Sequence, residues 1–424
     1  MLFQRGAEKW LQKEVLLFFD GAHLIRKPAG KRLVLRFYND RMAQNFDVCI
    51  RGAGIVGRAL ALMLAQERLR VALVASAPTA AAAAQDDVRA YALNAASAQL
   101  LQGLRVWPQV DHVTAVRQMQ VHGDGDSCVQ FAAGAHDVDA LAWIVEVPAL
   151  EQRLAQAVSY QPLIEVVDAP VPAPLTAICE GRASRTRQEL GVEFDVQPYA
   201  QTAIATRLRC EHAHEQIARQ WFSPLGILAL LPLGGAQGQD VAVVWSVPHN
   251  MAEQWLHADA DDFVEMLDGL SHSALGRLQL QGARMAWPLQ QATAQRWCGA
   301  WPIPVTQEGN TASAGSWVLV GDAAHNVHPL AGQGLNLGLA DVATLAQLLA
   351  GRGEWRSTGD LRLLRRYERT RKAAMLPLGW VMDGIQQLFA RPEGKVQMLR
   401  NWGMNQFERS GPIKQWAVRQ AMGL

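Results

Sequence analysis

At 424 residues, half of them apolar and 19% charged, the chain is too long for a single core and too apolar for a disordered protein, so two or three packed units are expected. A formal net charge of +1 excludes the broad basic field of a nucleic-acid binder. The five cysteines, Cys49, Cys128, Cys179, Cys210 and Cys298, stand far apart with no CxxC pair, which argues against a metal site and a disulfide framework and fits a reducing, cytoplasmic compartment.

Residues 1–41 carry nine Lys/Arg against four Asp/Glu, a local net charge of +5 that leaves −4 for the remainder. They lack a signal-peptide cleavage site, and their acidic residues argue against a transit peptide. The stretch "KEVLLFF" would suit a membrane-contacting arm. The simpler expectation is an upstream extension outside the fold, residues 1–45, with a natural start for the compact chain at Met42. No apolar run approaches the about 18 residues needed to span a bilayer.

From Phe46 the pattern is strand Asp47–Arg51, the turn "RGAGIVG", helix Ile55–Glu67 and strand Arg70–Ala75. This is a βαβ unit whose Gly52, Gly54 and Gly57 have the G-x-G-x-x-G spacing of a dinucleotide site: a tight turn, close approach of a pyrophosphate, and helix-to-strand packing. The acidic residue expected at the end of the second strand, where it would hold a ribose, is absent. Ala75 stands there, followed by Ser76, a hydrogen-bonding side chain without charge. Arg89 precedes a helix capped by Asn94 and is a candidate for phosphate or ring contact, or a solvated surface arginine.

Residues 113–147 alternate in the manner of strands, Pro148–Tyr160 reads as a helix, and strand Ile164–Val167 leads through the proline-rich "APVPAP" to Leu175–Cys179 and a second glycine turn, "CEGRASRTR". From Pro198 to Leu289 the pattern is mostly strands, Gln201–Arg209, Gly226–Leu231 and Val241–Val247, with a helix around Asp259–Leu270. This is antiparallel sheet material interrupting the dinucleotide-binding unit. The late stretch "WVLVGDAAHNVHPLAGQGLNLGLAD", Trp317 to Asp341, reads as strand, glycine loop and helix. Gly321 and Asp322 form the turn, and Leu335, Leu339, Val342, Leu345 and Leu349 share one helix face. Free N–H groups at the start of that helix favour negative charge in the loop. His325 and His328 read as loop and packing residues. From Leu361 the chain is helical, with the basic run Arg362–Lys372.

Three separated stretches, "GAGIVG", "EGRASRTR" and "GDAAHNVHPLAGQGLNLG", occur in an order that closely resembles the flavoprotein aromatic hydroxylases of the para-hydroxybenzoate hydroxylase type. Within that group the chain looks most like the hydroxylases of ubiquinone biosynthesis, through "RAYALNAASAQLLQGLRVW", "PLGILALLPLG" followed by "VVWSVP", "WPL" at Trp287–Leu289, and "LFARPEGKVQMLRNWGM". The resemblance covers residues 46–424. It implies an α/β fold with a Rossmann-like FAD-binding domain (46–111, 146–195 and 301–351) interleaved with an antiparallel-sheet substrate domain (112–145 and 196–300), plus C-terminal helices (352–424).

Carried over residue by residue, the resemblance implies that Gly52, Gly54 and Gly57 surround the FAD pyrophosphate and that Gly321 and Asp322 bind the ribose and ribityl side. Pro329, Gly332 and Gly334 would border the isoalloxazine, with the helix opening at Leu335 and Asn336 stabilising the reduced ring. Glu180, Gly181, Ser184 and Arg187 would serve both FAD and NAD(P)H, with Glu where the family has Asp, and Arg89 matches a flavin-contacting arginine. Ala75 for the usual Glu, and a short span between Tyr160 and Cys179, predict weaker FAD binding by about 1–3 kcal/mol for a lost charged hydrogen bond, unless Ser76 or Arg89 compensates.

In chemical terms the resemblance implies that NAD(P)H reduces the flavin, dioxygen adds at C4a, and the hydroperoxide delivers oxygen to a phenol ring. No residue is assigned as the proton acceptor. A polyprenylated substrate would be drawn from a membrane, so peripheral docking at its inner face and a place in a ubiquinone-biosynthesis assembly are expected. Two alternatives remain: a flavin monooxygenase of soluble aromatic acids, and a non-catalytic flavin-fold assembly subunit.

Overall fold

A computed structural model of the chain describes residues 46–75, 87–123, 127–301, 315–326, 333–390 and Ser410, with the backbone path alone for Gln333 and 376–390. Ser76, Pro329, Gly332 and residues 1–45 lie outside the described residues.

The described chain opens with strand β1 (Val48–Arg51), helix α1 (Ile55–Gln66) and strand β2 (Val71–Val74), then β3 (Ala90–Leu93) and α2 (Ala95–Gly103). Asn94 starts α2 as read from the sequence, its side chain accepting the Ser97 N–H at 2.9 Å. Strands β4 (Val113–Val116), β5 (Gln118–His122), β6 (Cys128–Ala132) and β7 (Ala142–Glu146) precede helix α3 (Val147–Ser159), which buries Leu150, Leu154 and Val158 on one face. Next come β8 (Ile164–Val167), β9 (Leu175–Ile178) and the short helix α4 (Arg185–Glu189). The long strand β10 (Phe194–Cys210) is followed by β11 (Ile217–Ser223), β12 (Gly226–Pro232), β13 (Asp240–Pro248), helices α5 (His249–His257) and α6 (Ala260–Ser271), and the long strand β14 (Leu278–Ala294). The chain then returns through β15 (Cys298–Ala300), β16 (Ser316–Leu319), the two-residue β17 (His325–Asn326), α7 (Gln333–Ala350) and α8 (Leu361–Ala390).

Six of these strands form one sheet in the order β15-β16-β9-β1-β2-β8, parallel except for β15. Its central strands β1, β2, β9 and β16 are buried nearly throughout, so their residues are apolar on both faces rather than alternating. On α1, Leu60 and Leu64 are wholly buried, and each such side chain contributes about 1.5–3 kcal/mol of apolar burial. Eight strands form a second sheet, β17-β14-β10-β13-β12-β11-β5-β6, antiparallel apart from the β5–β11 pair. The third sheet, β3-β7-β4, is small and antiparallel. The fold is therefore the expected α/β arrangement, a Rossmann-like sheet interleaved with an antiparallel one and followed by a C-terminal helix.

Strand β10 is longer than the Gln201–Arg209 that its sequence pattern suggests, and it pairs along its length with the equally long β14. Two register shifts between them, at Pro198/Thr202 and Ala205/Arg207, let the paired ribbon bend while pairing continues on either side. Alternation sorts the large sheet into two faces. Val241, Val243, Trp245 and Val247 of β13 pack with Trp255, Phe263 and Leu267 of α5 and α6. Ala242 lies on the opposite face and, with Ala218 and Leu233, meets Val116, Ile144, Ala90 and Ala92 of the small sheet. Small side chains on this second face let the small sheet pack closely against it.

Candidate active site

Strands β1, β9 and β16 are neighbours in register, Arg51 opposite Ile178 and Ile178 opposite Leu319. The loops leaving their carboxyl ends are the three motif stretches, so segments more than a hundred residues apart in the chain meet along one sheet edge. From β1 the chain passes to β2 on one side while β9 lies on the other. This is the switch point at which open parallel sheets bind ligands.

In the first loop, Gly52 has φ +108°, and a Cβ there would stand 2.5 Å from the Cys179 carbonyl oxygen. A Cβ on Gly57 would stand 1.9 Å from the Gly52 carbonyl oxygen, so both glycines are demanded by packing within the protein. Gly54 differs: nothing lies within 4 Å of where its Cβ would be. It is the N-cap of α1, with no side-chain cap and no acidic residue in the first turn. Uncapped donors, the positive end of the helix dipole and open space together fit a diphosphate.

The second loop is organised by Glu180. Its carboxylate accepts from the Ser184 hydroxyl at 2.8 Å, the Thr186 hydroxyl at 2.6 Å and the Thr186 N–H at 3.0 Å, and it pairs with Arg51 at 3.2 Å. Burial would raise its pKa; the Thr186 and Ser184 hydrogen bonds and Arg51 outweigh burial and hold it below the usual glutamate value. Arg187 is buried, lies flat on the Phe194 ring with its guanidinium carbon 3.7 Å from the centroid, and donates to the Arg182 and Ala323 carbonyls at 2.8 and 3.0 Å. Its contacts brace the second loop against the third. Arg182 reaches the Pro288 carbonyl of β14 at 3.3 Å, tying the same loop to the large sheet.

The third loop is a single 3-10 turn, Gly321–Ala323, with Gly321 at φ +62° under the methyls of Val56. Asp322 is solvent-accessible, yet burial among surrounding protein raises its pKa, with His325 and Arg182 opposing the rise. The turn runs into β17, whose Asn326 pairs opposite Ala292 of β14, so the large sheet's edge lies beside it. Behind the turn, the fully buried Asp341 carboxylate accepts the Gly321 N–H at 2.9 Å and lies 2.6 Å from both His325 Nε2 and Arg371 Nε. Trp297 stacks on His325.

Asn336, near the start of α7, donates to the Ala92 carbonyl at 2.8 Å and accepts the Asn94 N–H at 3.0 Å, which brings β3 to the site. Leu335 is buried beside it, Gly334 has open space at its Cβ position, and Gly181 has φ +73° with open space likewise. Arg89 forks onto Asp87, Nε to Oδ1 at 2.8 Å and Nη2 to Oδ2 at 2.6 Å. Tyr91 follows two residues later, its phenol pKa raised by burial and, more weakly, by Asp322.

Sequence reading singled out the loops and passed over what holds them. Asp341, Arg371 and Arg182 were not among the candidate residues. A signal existed: Asp341 shares a face of α7 with Gly338 and Leu345, and Arg371 shares one of α8 with the buried Leu364 and Tyr367, places where a lone charge needs a partner.

The FAD binding domain family matches residues 146–376, more than half of the chain. The chain is similar to the 3-demethoxyubiquinol 3-hydroxylase of Escherichia coli K12, with 29% identity over 410 residues covering 90% of this chain and 99% of that protein. It is also similar to the ubiquinone hydroxylase UbiL of Rhodospirillum rubrum, with 28% identity over 404 residues and 89% of each chain covered. Among solved structures, PqsL of Pseudomonas aeruginosa superposes with a TM-score of 0.66 at 19% identity, covering 86% of this chain and all of that one. The p-nitrophenol 4-monooxygenase PnpA of Pseudomonas putida DLL-E4 gives 0.66 at 17%, covering 89% of this chain and 96% of that one. These two are likenesses of fold.

Proposed function

The chain belongs to the FAD binding domain family, and from that premise we propose that it is an FAD-dependent monooxygenase that hydroxylates the aromatic ring of a polyprenylated phenol or quinol, in a pathway resembling ubiquinone biosynthesis. The observation that carries the proposal is the convergence of three loops on one edge of the parallel sheet, beside the edge of an antiparallel sheet with a small-residue face. Two ubiquinone-pathway hydroxylases that align over most of their length supply the substrate class.

FAD, when bound, supplies the redox chemistry: it passes two electrons from a reduced nicotinamide, NADH or NADPH, to dioxygen, of which one atom enters the ring and the other leaves as water. The protein does the positioning. Gly52, Gly54 and Gly57 shape an uncapped helix start for the diphosphate. Asp322 accepts hydrogen bonds from hydroxyl groups of the ribose or ribityl chain. Gly181, Gly334, Leu335 and Asn336 line the remaining approaches, and Glu180 and Arg187 keep the middle loop rigid between them. The substrate ring lies beside the Gly321–Asp322 turn, on the side where β17 joins the edge of the large sheet.

Among the described residues no helix is long and apolar enough to cross a membrane. A polyprenylated substrate, being a lipid, calls for peripheral contact with the inner face of a membrane, and transfer between successive enzymes on such a substrate favours a protein assembly. The test is FAD-loaded protein oxidising NADPH or NADH in air. Strong stimulation by a polyprenyl phenol in detergent, with hydroxylated product, supports the proposal. Stimulation by a soluble phenolic acid alone would move the substrate assignment.

A further inference from the structure

Asp341 is 0% exposed and Arg371 7%, and the buried His325 beside them completes a polar cluster among apolar side chains. A buried ion pair is weak evidence for stability, because apolar residues of similar shape would serve as well or better. What this pair holds is a backbone turn. One Asp341 oxygen accepts from Gly321 N–H and faces His325; the other takes the Arg371 Nε at 2.6 Å, while Arg371 Nη2 donates to the Leu337 carbonyl at 3.2 Å. The same face of α8 reaches β16 through the Tyr367 hydroxyl, 3.1 Å from the Leu319 carbonyl. Next to it, Glu368 accepts the Trp297 N–H at 3.2 Å and Lys372 donates to the Gln295 carbonyl at 2.6 Å.

We propose that Asp341 is the positioning residue of the flavin turn and that Arg371 fixes its orientation, so that seating of helix α8 governs how tightly FAD is held. The inference rests on the assignment of the Gly321–Asp322 turn to FAD. Gly321 has a left-handed φ of +62°, and its N–H is turned inward onto Asp341, which determines the direction in which the next residue, Asp322, presents its carboxylate outward. Asp341 does not touch the cofactor in this account. It acts through the Gly321 peptide, while Arg371 carries the link to the C-terminal helix.

The paired variant Asp341→Leu with Arg371→Met removes both charges together, so that neither is left buried alone, while the Gly321 N–H and His325 lose their acceptor; its folding is checked by circular dichroism. FAD affinity is read by flavin fluorescence, and hydrogen exchange is followed in the apo-protein for the peptide containing Gly321. The expected result is an FAD Kd raised about tenfold or more, with faster exchange in that peptide and wild-type exchange in β10–β13. Arg371→Lys keeps the charge but loses the fork, and an intermediate Kd is expected; it serves also if the paired variant does not fold. Wild-type Kd and exchange in either folded variant would overturn the inference, as would exchange raised uniformly across the protein, the mark of a merely structural role. If wild-type protein fails to bind FAD, the assignment of the turn falls, and the proposal built on it falls too. Apo exchange then reports only the hold of Asp341 on Gly321.

Discussion

The Arg187 guanidinium and the Ala323 carbonyl, 136 positions apart in sequence, meet at 3.0 Å. This bond joins the loop after β9 to the loop after β16, and the fork geometry that also reaches the Arg182 carbonyl is one that only arginine provides. Arg187→Met should cost about 1–3 kcal/mol in urea unfolding and weaken FAD binding, and Arg187→Lys should recover little of either. Loss of FAD binding with unchanged stability would instead mark Arg187 as a direct cofactor contact.

The glycines of the first loop separate folding from binding. Gly52→Ala puts a Cβ 2.5 Å from the Cys179 carbonyl at φ +108° and should destabilise the protein by about 1–3 kcal/mol or more. Gly54→Ala meets open space, so its stability should stay within about 1 kcal/mol of wild type while FAD binding falls, because the added methyl occupies the diphosphate's approach. Thermal melts of the two apo-variants beside FAD titrations check both halves.

Acid should release FAD before it unfolds the protein. Glu180 is held below the ordinary glutamate value of 4.5, so its contribution to stability is complete above that value and is lost as pH falls through its lower folded pKa. Asp322 runs the other way: its folded pKa lies above 3.8, so on acidification it is protonated early and loses its capacity as a charged acceptor. Flavin fluorescence and far-UV circular dichroism followed down the same pH series should show two separated transitions, and Glu180→Gln should flatten the acid limb of the second.

Strand β2 ends at Val74, opposite Arg51, and Ala75 continues it with its N–H on the Val167 carbonyl at 3.0 Å. A carboxylate placed there would stand at the edge where the adenosine ribose is expected. Ala75→Glu should therefore tighten FAD binding by about 1–3 kcal/mol, roughly a 5-fold to 150-fold lower Kd. A wild-type Kd already in the nanomolar range would show that nothing is missing at this position.

What could be read beforehand follows the range of the interactions. The βαβ unit, the Asn94 cap, the Gly321–Asp322 turn and the helix carrying Leu335 to Leu349 depend on neighbours a few residues away, and each stands in the structure close to where its pattern places it. Strand β10 exceeds its pattern because its pairing with β14 resumes on either side of two register shifts, where alternation lapses. Partners were illegible where they lie far apart. Arg187 carries the features of a cofactor contact yet spends its fork on two carbonyls. Arg89 is matched by Asp87, and Asp341 looks like an ordinary helix residue until Gly321, His325 and Arg371 surround it. Nothing in local periodicity records which carbonyl a buried arginine will meet.

The central claim is oxygen transfer from dioxygen to an aromatic ring, and isotope labelling reaches it directly. FAD-loaded protein would be given NADPH or NADH and a polyprenyl phenol under oxygen-18 gas, with the product examined by mass spectrometry. The account predicts one heavy oxygen on the ring and one nicotinamide consumed per product. A folded, FAD-loaded protein that oxidises nicotinamide yet leaves every phenol tested unlabelled, releasing only hydrogen peroxide, would contradict it.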